Sequence, residues 1–196
     1  MSKPTKRIGL FGGQFDPVHL GHIHVVNEAI NQLELESLII IPSAHPPHRS
    51  QSQTSFNHRF NMLSLAFKLM PQVLISDIEH STIPNWSIDT VNHFASMYPF
   101  HQLHLIIGTD QYIQFHTWKS YEMISNLCTV TIFKRTNTLT TNPHIPRSIH
   151  DTFQFINAPI YEISSTQIRH ALNIKQTPTL VPEAIHQFIT TNHLYQ

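Results

Sequence analysis

Four of the chain's five glycines lie between Gly9 and Gly21, in a stretch that reads Gly9-Leu10-Phe11-Gly12-Gly13-Gln14-Phe15-Asp16-Pro17-Val18-His19-Leu20-Gly21-His22. Before the loop, the apolar run Ile8 to Phe11 predicts a short buried strand. After it, Ile23, Val26, Ile30 and Leu33 recur at helical spacing and predict an amphipathic helix. Glycine lets backbone amides approach an anion and can adopt positive φ, and a helix start adds N–H groups with no partner inside the helix. His19 and His22, at i and i+3, add two side-chain donors that can reach the same charge. The junction therefore reads as a phosphate-handling loop.

The alternation continues along the chain. Leu38 to Ile41 reads as a second strand stopped at Pro42, followed by a Pro-, His- and Ser-rich loop to Thr54. Phe56, Phe60, Leu63, Phe67 and Met70 form a second helical stripe, read as core. Val73 to Ile78 is a third strand, Ser87 reads as the N-cap of a helix through Met97, and Leu103 to Ile107 is a fourth strand ending at Gly108. Thr129 to Phe133 is a fifth, and the polar, proline-containing stretch Thr136 to His150 reads as a long mobile loop. Ile160 to Ile163 is expected as a sixth strand. A helix from Ser165 through Leu172 and a last one from Pro182 or Glu183 to Thr191 complete the order.

Strands alternating with helices imply an α/β fold, a doubly wound parallel sheet with helices on both faces, here as a single domain over residues 1–196. Ligands of such sheets bind outside the carboxyl ends of the strands. The polar motifs fall there: Gly12 to His22 after the first strand, Ser43 to Arg49 after the second, Gly108 to Asp110 after the fourth, Arg135 after the fifth, and Ser164 to Arg169 after the sixth.

Twelve basic residues balance twelve acidic ones and no Lys/Arg-rich run occurs, so neither a nucleic-acid surface nor a membrane-binding face has electrostatic support. The apolar run after the basic Met1–Arg7 breaks at Gly12-Gly13, too short for a signal peptide, and Leu38 to Ile41 stops at Pro42, far short of a membrane span. A single cysteine, Cys128, lies in an apolar stretch; it excludes an internal disulfide and agrees with a reducing, cytoplasmic setting. The sixteen histidines are mostly scattered without ligand spacing and read as surface composition, with no metal site among them.

Neither a Walker loop nor G-x-G-x-x-G is present. Instead, G-G-x-F-D-P-x-H-x-G-H resembles the signature of the HxGH nucleotidyltransferase superfamily, which moves a nucleoside monophosphate from a triphosphate to a phosphate acceptor on a Rossmann-like fold. Attack on an α-phosphate builds charge on phosphoryl oxygens and needs positioned donors more than covalent chemistry. His19 and His22 would donate to the α- and β-phosphates, with Gly12 and Gly13 as a side-chain-free wall beside Phe15 and Asp16. Asp16 is explained equally by an Asx turn at Asp-Pro.

The second cluster, Ser164-Ser165-Thr166-Gln167-Ile168-Arg169, places hydroxyls on a helix start and an arginine one turn in, an arrangement suited to the β- and γ-phosphates and the departing pyrophosphate. Paired with H-x-G-H it resembles the superfamily's two-part triphosphate site, which requires the two segments to share one cavity.

Together with Pro46-Pro47-His48-Arg49, Asn85-Trp86-Ser87-Ile88-Asp89-Thr90, Ile107-Gly108-Thr109-Asp110 and Phe115-His116-Thr117-Trp118, these motifs closely resemble the bacterial nicotinate-nucleotide adenylyltransferases, in order from Ile8 to the C-terminus. That resemblance implies ATP and nicotinate mononucleotide as substrates, with Mg²⁺ carried in on ATP. By position it implies that His19, His22 and Arg169 are catalytic. Gly12, Gly13, Phe15, Asp16, Gly108, Asp110, Arg135, Ser164, Ser165 and Thr166 would line the ATP site, with Asp110 on a ribose and Arg135 on donor phosphates. His48 and Arg49 would address the acceptor mononucleotide and its phosphate, Trp118 would stack on its pyridine ring, and backbone amides near Trp86 and Ser87 would take its carboxylate.

The chain departs from the family's pattern at three places: Trp86 stands where Tyr is usual, Gln14 where Thr is usual, and Arg135 is followed by Thr-Asn where the family has Pro-Gly. Four readings compete. Nicotinamide mononucleotide could replace the acid as acceptor. Pantetheine-phosphate adenylyltransferases share the glycine loop but carry Thr where His19 stands and are shorter. A non-catalytic nucleotide sensor or a histidine-rich metal carrier would have no need of His19, His22 and Arg169 together.

Overall fold

A computed structural model describes residues 6–44, 52–80, 86–133, 142–157, 163–176 and 180–196. Six strands form one sheet: β1 (Arg7–Gly13), β2 (Ser37–Pro42), β3 (Val73–Ile75), β4 (Gln102–Gly108), β5 (Thr129–Phe133) and β6 (Gln154–Ile156). Their order is β3-β2-β1-β4-β5-β6 and all neighbours run parallel, with Leu10 of β1 opposite Ile39 of β2 and Leu105 of β4. The helices are α1 (Leu20–Leu33), α2 (Phe56–Ala66), α3 (Ser87–Met97), α4 (Thr109–Gln114), α5 (Tyr121–Leu127), α6 (Arg147–His150), α7 (Ser165–Asn173) and α8 (Glu183–Thr191).

Strand alternation sorts the core onto two faces. Ile8, Leu10, Ile39, Ile41, Leu103, Leu105, Ile107, Val130 and Ile132 pack with Val91 and Phe94 of α3 and Ile124 of α5. Phe11, Leu38, Ile40, Ile106 and Phe133 pack with Val26, Ile30 and Leu33 of α1, Met62 and Leu63 of α2, and Ile185 and Ile189 of α8. Strands buried on both faces are apolar at nearly every position, which is why they stand out in the sequence. Strand order reverses between β1 and β4, and this switch point places a crevice at their carboxyl ends.

Several boundaries differ from the sequence reading. β3 stops at Ile75, because it pairs only with Leu38 to Ile40 of β2. α2 ends at Ala66 although Phe67 remains buried and Met70 packs on the core, so the apolar stripe outlasts the helix. Trp86, in extended conformation, holds the N-cap of α3, and Ser87 is its first helical residue. The sixth strand is Gln154–Ile156. Ile163, the described end of the expected 160–163 strand, lies outside any strand, and 158–162 fall outside the described residues.

The expected long loop is ordered where it is described. Asn142 N donates to the Tyr112 hydroxyl at 2.9 Å, its side-chain amide donates to the Tyr112 and Ile113 carbonyls, and α6 follows. Residues 136–141 of that expectation lie outside the described set. α4 and α5 had no counterpart in the sequence reading; they supply the crossover that parallel neighbours β4 and β5 require. Among the described residues no helix is long and apolar enough to cross a membrane.

Candidate active site

The crevice at the switch point is a cleft of about 400 Å³. Gly12 and Gly13 of β1, Ile107 and Gly108 of β4, Asp110 and Gln111 of α4 and Phe133 of β5 are part of its lining. His19, Gly21, His22, His24 and Val25, together with Ile163, Ser164, Ser165, Thr166 and Arg169, complete the lining. The two clusters picked out in the sequence, near opposite ends of the chain, thus line one cavity.

His19 holds the N-cap of α1 with extended backbone, φ −146° and ψ 171°. Its backbone N–H donates to His22 Nδ1 at 3.3 Å, and His22 N–H donates to the His19 carbonyl at 2.9 Å. The two imidazoles stack with ring centroids 3.7 Å apart and 28° between planes. The glycine between them is required by space: a Cβ on Gly21 would lie 2.9 Å from Ile163 Cγ2 and 3.0 Å from both Cε1 and Nδ1 of His19. Gly12 is the opposite case, since a Cβ there would meet nothing within 4 Å and would project into open space.

The sequence reading allowed these glycines a second use, positive φ. Among the described residues no glycine adopts it, and the left-handed residue of the loop is Phe15, at φ 51°. Phe15 is buried, edge-on to Phe11 and His22, and a Cβ on Gly13 would sit 3.1 Å from its ring. The loop's glycines therefore provide room, while an aromatic residue carries the turn.

α7 begins with a reciprocal cap: Ser164 N–H donates to Gln167 Oε1 at 2.9 Å and Gln167 N–H donates to Ser164 Oγ at 3.3 Å. The helix is fastened to the glycine loop. Ser165 Oγ donates to the Pro17 carbonyl at 3.0 Å, and Arg169 Nη1 donates to the Asp16 carbonyl at 2.7 Å while Nη2 reaches Thr166 Oγ1 at 3.2 Å. Two helix N-termini, a guanidinium and an imidazole pair converge on one space in a chain of zero formal net charge, which concentrates positive potential for a polyanion.

The model of the cytidylyltransferase-like family matches residues 10–171. Proteins named "Probable nicotinate-nucleotide adenylyltransferase" from Clostridium tetani and Carboxydothermus hydrogenoformans are 30% and 32% identical, with 97% of this chain and 100% and 98% of those proteins covered. This chain belongs to the nicotinate-nucleotide adenylyltransferase family. The fold agrees: Plasmodium falciparum nicotinic acid mononucleotide adenylyltransferase complexed with NaAD superimposes with a TM-score of 0.80 at 21% identity, over 97% of each chain.

Membership leaves each side chain's placement to be read from the structure. Asp16 lines the cleft, but its carboxylate is committed inward: Gln53 N–H donates to Oδ2 at 2.7 Å, and Thr54 Oγ1 and the Tyr195 hydroxyl donate to Oδ1 at 2.6 Å each. Phe15, Gly108, Asp110, Ser164, Ser165 and Thr166 all line the cleft, Gly108 as N-cap of α4 with its N–H on Gln111 Oε1 at 3.2 Å. Arg135, His48 and Arg49 lie outside the described residues.

The expected acceptor residues Trp86, Ser87 and Trp118 lie beyond the lining of this cleft. They belong to a flank formed by the start of α3 and the segment after α4, where Trp86 and Trp118 pack against the same core face. Lys119 Nζ sits 5.1 Å above the Trp86 ring, and Trp118 packs against Phe115 with centroids 5.3 Å apart. A buried carboxyl, Glu79, ties this flank together, accepting from Thr90 of α3 at 2.9 Å and bonding the Ser43 side chain. Ser43 N–H donates to the Gly13 carbonyl at 2.8 Å, so α3 reaches the cleft wall through a chain of hydrogen bonds. Burial pushes the Glu79 carboxyl up, against the opposing pull of Thr90 and Ser43.

Sequence reasoning missed Glu79, His24, Gln111, Arg59 and Tyr195. For Gln111 a signal existed, because a Gln three residues after a helix N-cap can reach back to the N-cap N–H, here that of Gly108, which has no side chain to return the bond. The others act through contacts distant in sequence, which no local pattern announces.

Proposed function

We propose that this protein transfers the adenylyl group of ATP to the phosphate of nicotinate mononucleotide, releasing pyrophosphate and forming nicotinate adenine dinucleotide. The observation that carries the reading is the meeting of His19, His22 and the Arg169 helix around one cleft at the switch point, in a chain whose relatives of that name match over 97% of its length.

The acceptor phosphate oxygen attacks the α-phosphorus in line, the bond from that phosphorus to the β-bridging oxygen breaks, and pyrophosphate leaves with its charge. Catalysis consists of placing donors where charge develops. His19, His22 and the α1 amides hold the α- and β-phosphate oxygens. Ser165, Thr166, the α7 amides and Arg169 hold the β- and γ-phosphates and then the leaving pyrophosphate. Gly12 leaves the wall open for the nucleotide, Asp110 accepts from ribose hydroxyls, and Asp16 shapes the loop from beneath.

Mg²⁺ comes in with the nucleotide, since it binds largely through phosphate oxygens and water. Among the described residues no group of three His, Cys, Asp or Glu is arranged to hold a resident ion. Trp118 supports the pyridinium ring and the start of α3, at Trp86 and Ser87, takes the nicotinate carboxylate, with His48, Arg49 and Arg135 completing the phosphate contacts. The protein acts in the cytoplasm, in keeping with a lone, buried thiol.

Pyrophosphate release from MgATP tests the reading with nicotinate mononucleotide, nicotinamide mononucleotide and phosphopantetheine in parallel. Nicotinate mononucleotide is expected to be the preferred acceptor. Release with none of the three would overturn the assignment, and preference for either of the others would relocate it.

A further inference from the structure

The glycine loop is strained, and it is held from behind. Phe15, a bulky aromatic, sits at φ 51°, a conformation that persists only where surrounding contacts over-determine it. Arg59, 2% exposed, donates through Nη1 to the Gln14 carbonyl at 2.7 Å on one side of Phe15. Asp16 follows on the other side. It is 3% exposed, and Gln53, Thr54 and Tyr195 supply its carboxylate with three donors while Arg169 takes its carbonyl.

Tyr195 reaches this point by an unusual path. The tail adopts left-handed backbone at His193, φ 52°, and again at Tyr195, φ 61°, burying Leu194 in the core and turning the Tyr195 hydroxyl under the loop. Two such residues within three are unfavourable in themselves, so the contact they permit has structural weight. Burial and the Asp16 carboxylate hold the Tyr195 phenol above its ordinary range, and it therefore remains a donor at every working pH.

We propose that Tyr195 is a positioning residue for the donor nucleotide: by bonding the Asp16 carboxylate it fixes the strained Gln14–Pro17 turn, and through the Asp16 carbonyl it fixes Arg169 against the triphosphate. The residue touches no substrate. It acts on the ATP half of the site and leaves the acceptor flank, built on Glu79, α3 and Trp118, alone. The inference rests on the adenylyl-transfer reading for its kinetics, while ATP binding tests it independently.

The test is Tyr195→Phe, which deletes one hydroxyl and keeps the ring. Loss of one charge-assisted hydrogen bond corresponds to a factor of roughly ten, about 1.4 kcal/mol. MgATP affinity by titration calorimetry without acceptor is expected to fall five- to tenfold, the KM for ATP to rise with it, and the KM for nicotinate mononucleotide to stay within twofold. A merely structural role would reduce the folded fraction and lower the apparent kcat with both KM values unchanged. Thr54→Val, which removes another donor from the same oxygen, should reproduce the pattern and serves if Tyr195→Phe folds poorly. An unchanged ATP dissociation constant in the folded variant, or an equal loss for both substrates, overturns the proposal. Wild-type protein that binds ATP but releases no pyrophosphate would overturn the functional reading and leave the calorimetric arm standing.

Discussion

Gly21→Ala should separate activity from stability in this protein. A Cβ at this position would stand 3.0 Å from Cε1 and Nδ1 of His19 and 2.9 Å from Ile163 Cγ2, whereas ordinary contact begins near 3.4 Å. The imidazole and the α7 entry must therefore each give by about 0.4 to 0.5 Å. Displacements of about 1 Å cost on the order of a hundredfold in rate, so half that should cost about tenfold in kcat/KM. Stability moves the other way or hardly at all, because Gly21 lies in the first turn of α1 at ordinary helical φ, where alanine is favoured by up to ~1 kcal/mol and offsets the crowding. Pyrophosphate release at saturating acceptor gives the rate, and thermal denaturation gives the stability. A Gly21→Ala protein with kcat/KM within twofold of wild type would refute the claim that the placement of His19 over this glycine matters.

Three further outcomes follow from the same geometry. His19→Ala should lower kcat by at least about a thousandfold at unchanged melting temperature, since a preorganised donor to a developing oxyanion contributes 10²–10³ and the stacked partner His22 is disordered with it; full activity would remove His19 from the mechanism. Trp118→Ala should raise the KM for nicotinate mononucleotide severalfold and leave the KM for ATP unchanged, which initial-rate kinetics with each substrate varied would show. His104, buried in β4 beside Thr131, has its imidazole pushed down to about 4, first by burial and then by Arg7. The unfolded chain binds this proton at higher pH than the native one, so the contribution is present above about pH 6.5 and is lost as pH falls toward 4, amounting to ~3 kcal/mol. Urea titrations across that range should show His104→Gln losing less stability than wild type, and parallel curves would refute it.

The parts of this fold that the sequence announces are those whose physics is local. β1, β4 and β5 are apolar runs buried on both faces, and α1 carries a stripe from Val26 to Leu33 long enough to show a helical period. α5 buries only Ile124 over seven residues, too few to establish a period. The edge strand β6 has three residues, one of them exposed, and Ile160 to Ile163 offers an equally apolar run in the sequence. The candidate site divides in the same way. Glycines, paired histidines and a capped helix with arginine have spacing that advertises them. Tyr195 and Thr54 do not, because their roles exist only once residues 179 and 38 positions away are folded against them.

That division bears on how the site is built. The groups with recognisable spacing include those that face the cleft, and part of their anchoring lies in the motif itself, as room at Gly21 for His19 and the Asp16 carbonyl for Arg169, whereas the turn at Phe15 is held by Arg59, Thr54 and Tyr195, which no spacing announces. A preorganised site needs its donors fixed to within about 0.5 Å, and short motifs cannot supply that by themselves. Arg59 shows the cost. Desolvation pushes its guanidinium down, with Asp16 and Tyr195 opposing, and a cation is kept 2% exposed for the sake of one carbonyl and one neighbouring carboxylate. An apolar replacement such as Arg59→Met fills much of the volume and removes the desolvation penalty, yet it leaves the Gln14 carbonyl without its donor and Asp16 without its countercharge. Stability and catalysis should therefore part company again at this position, with the larger loss falling on ATP binding.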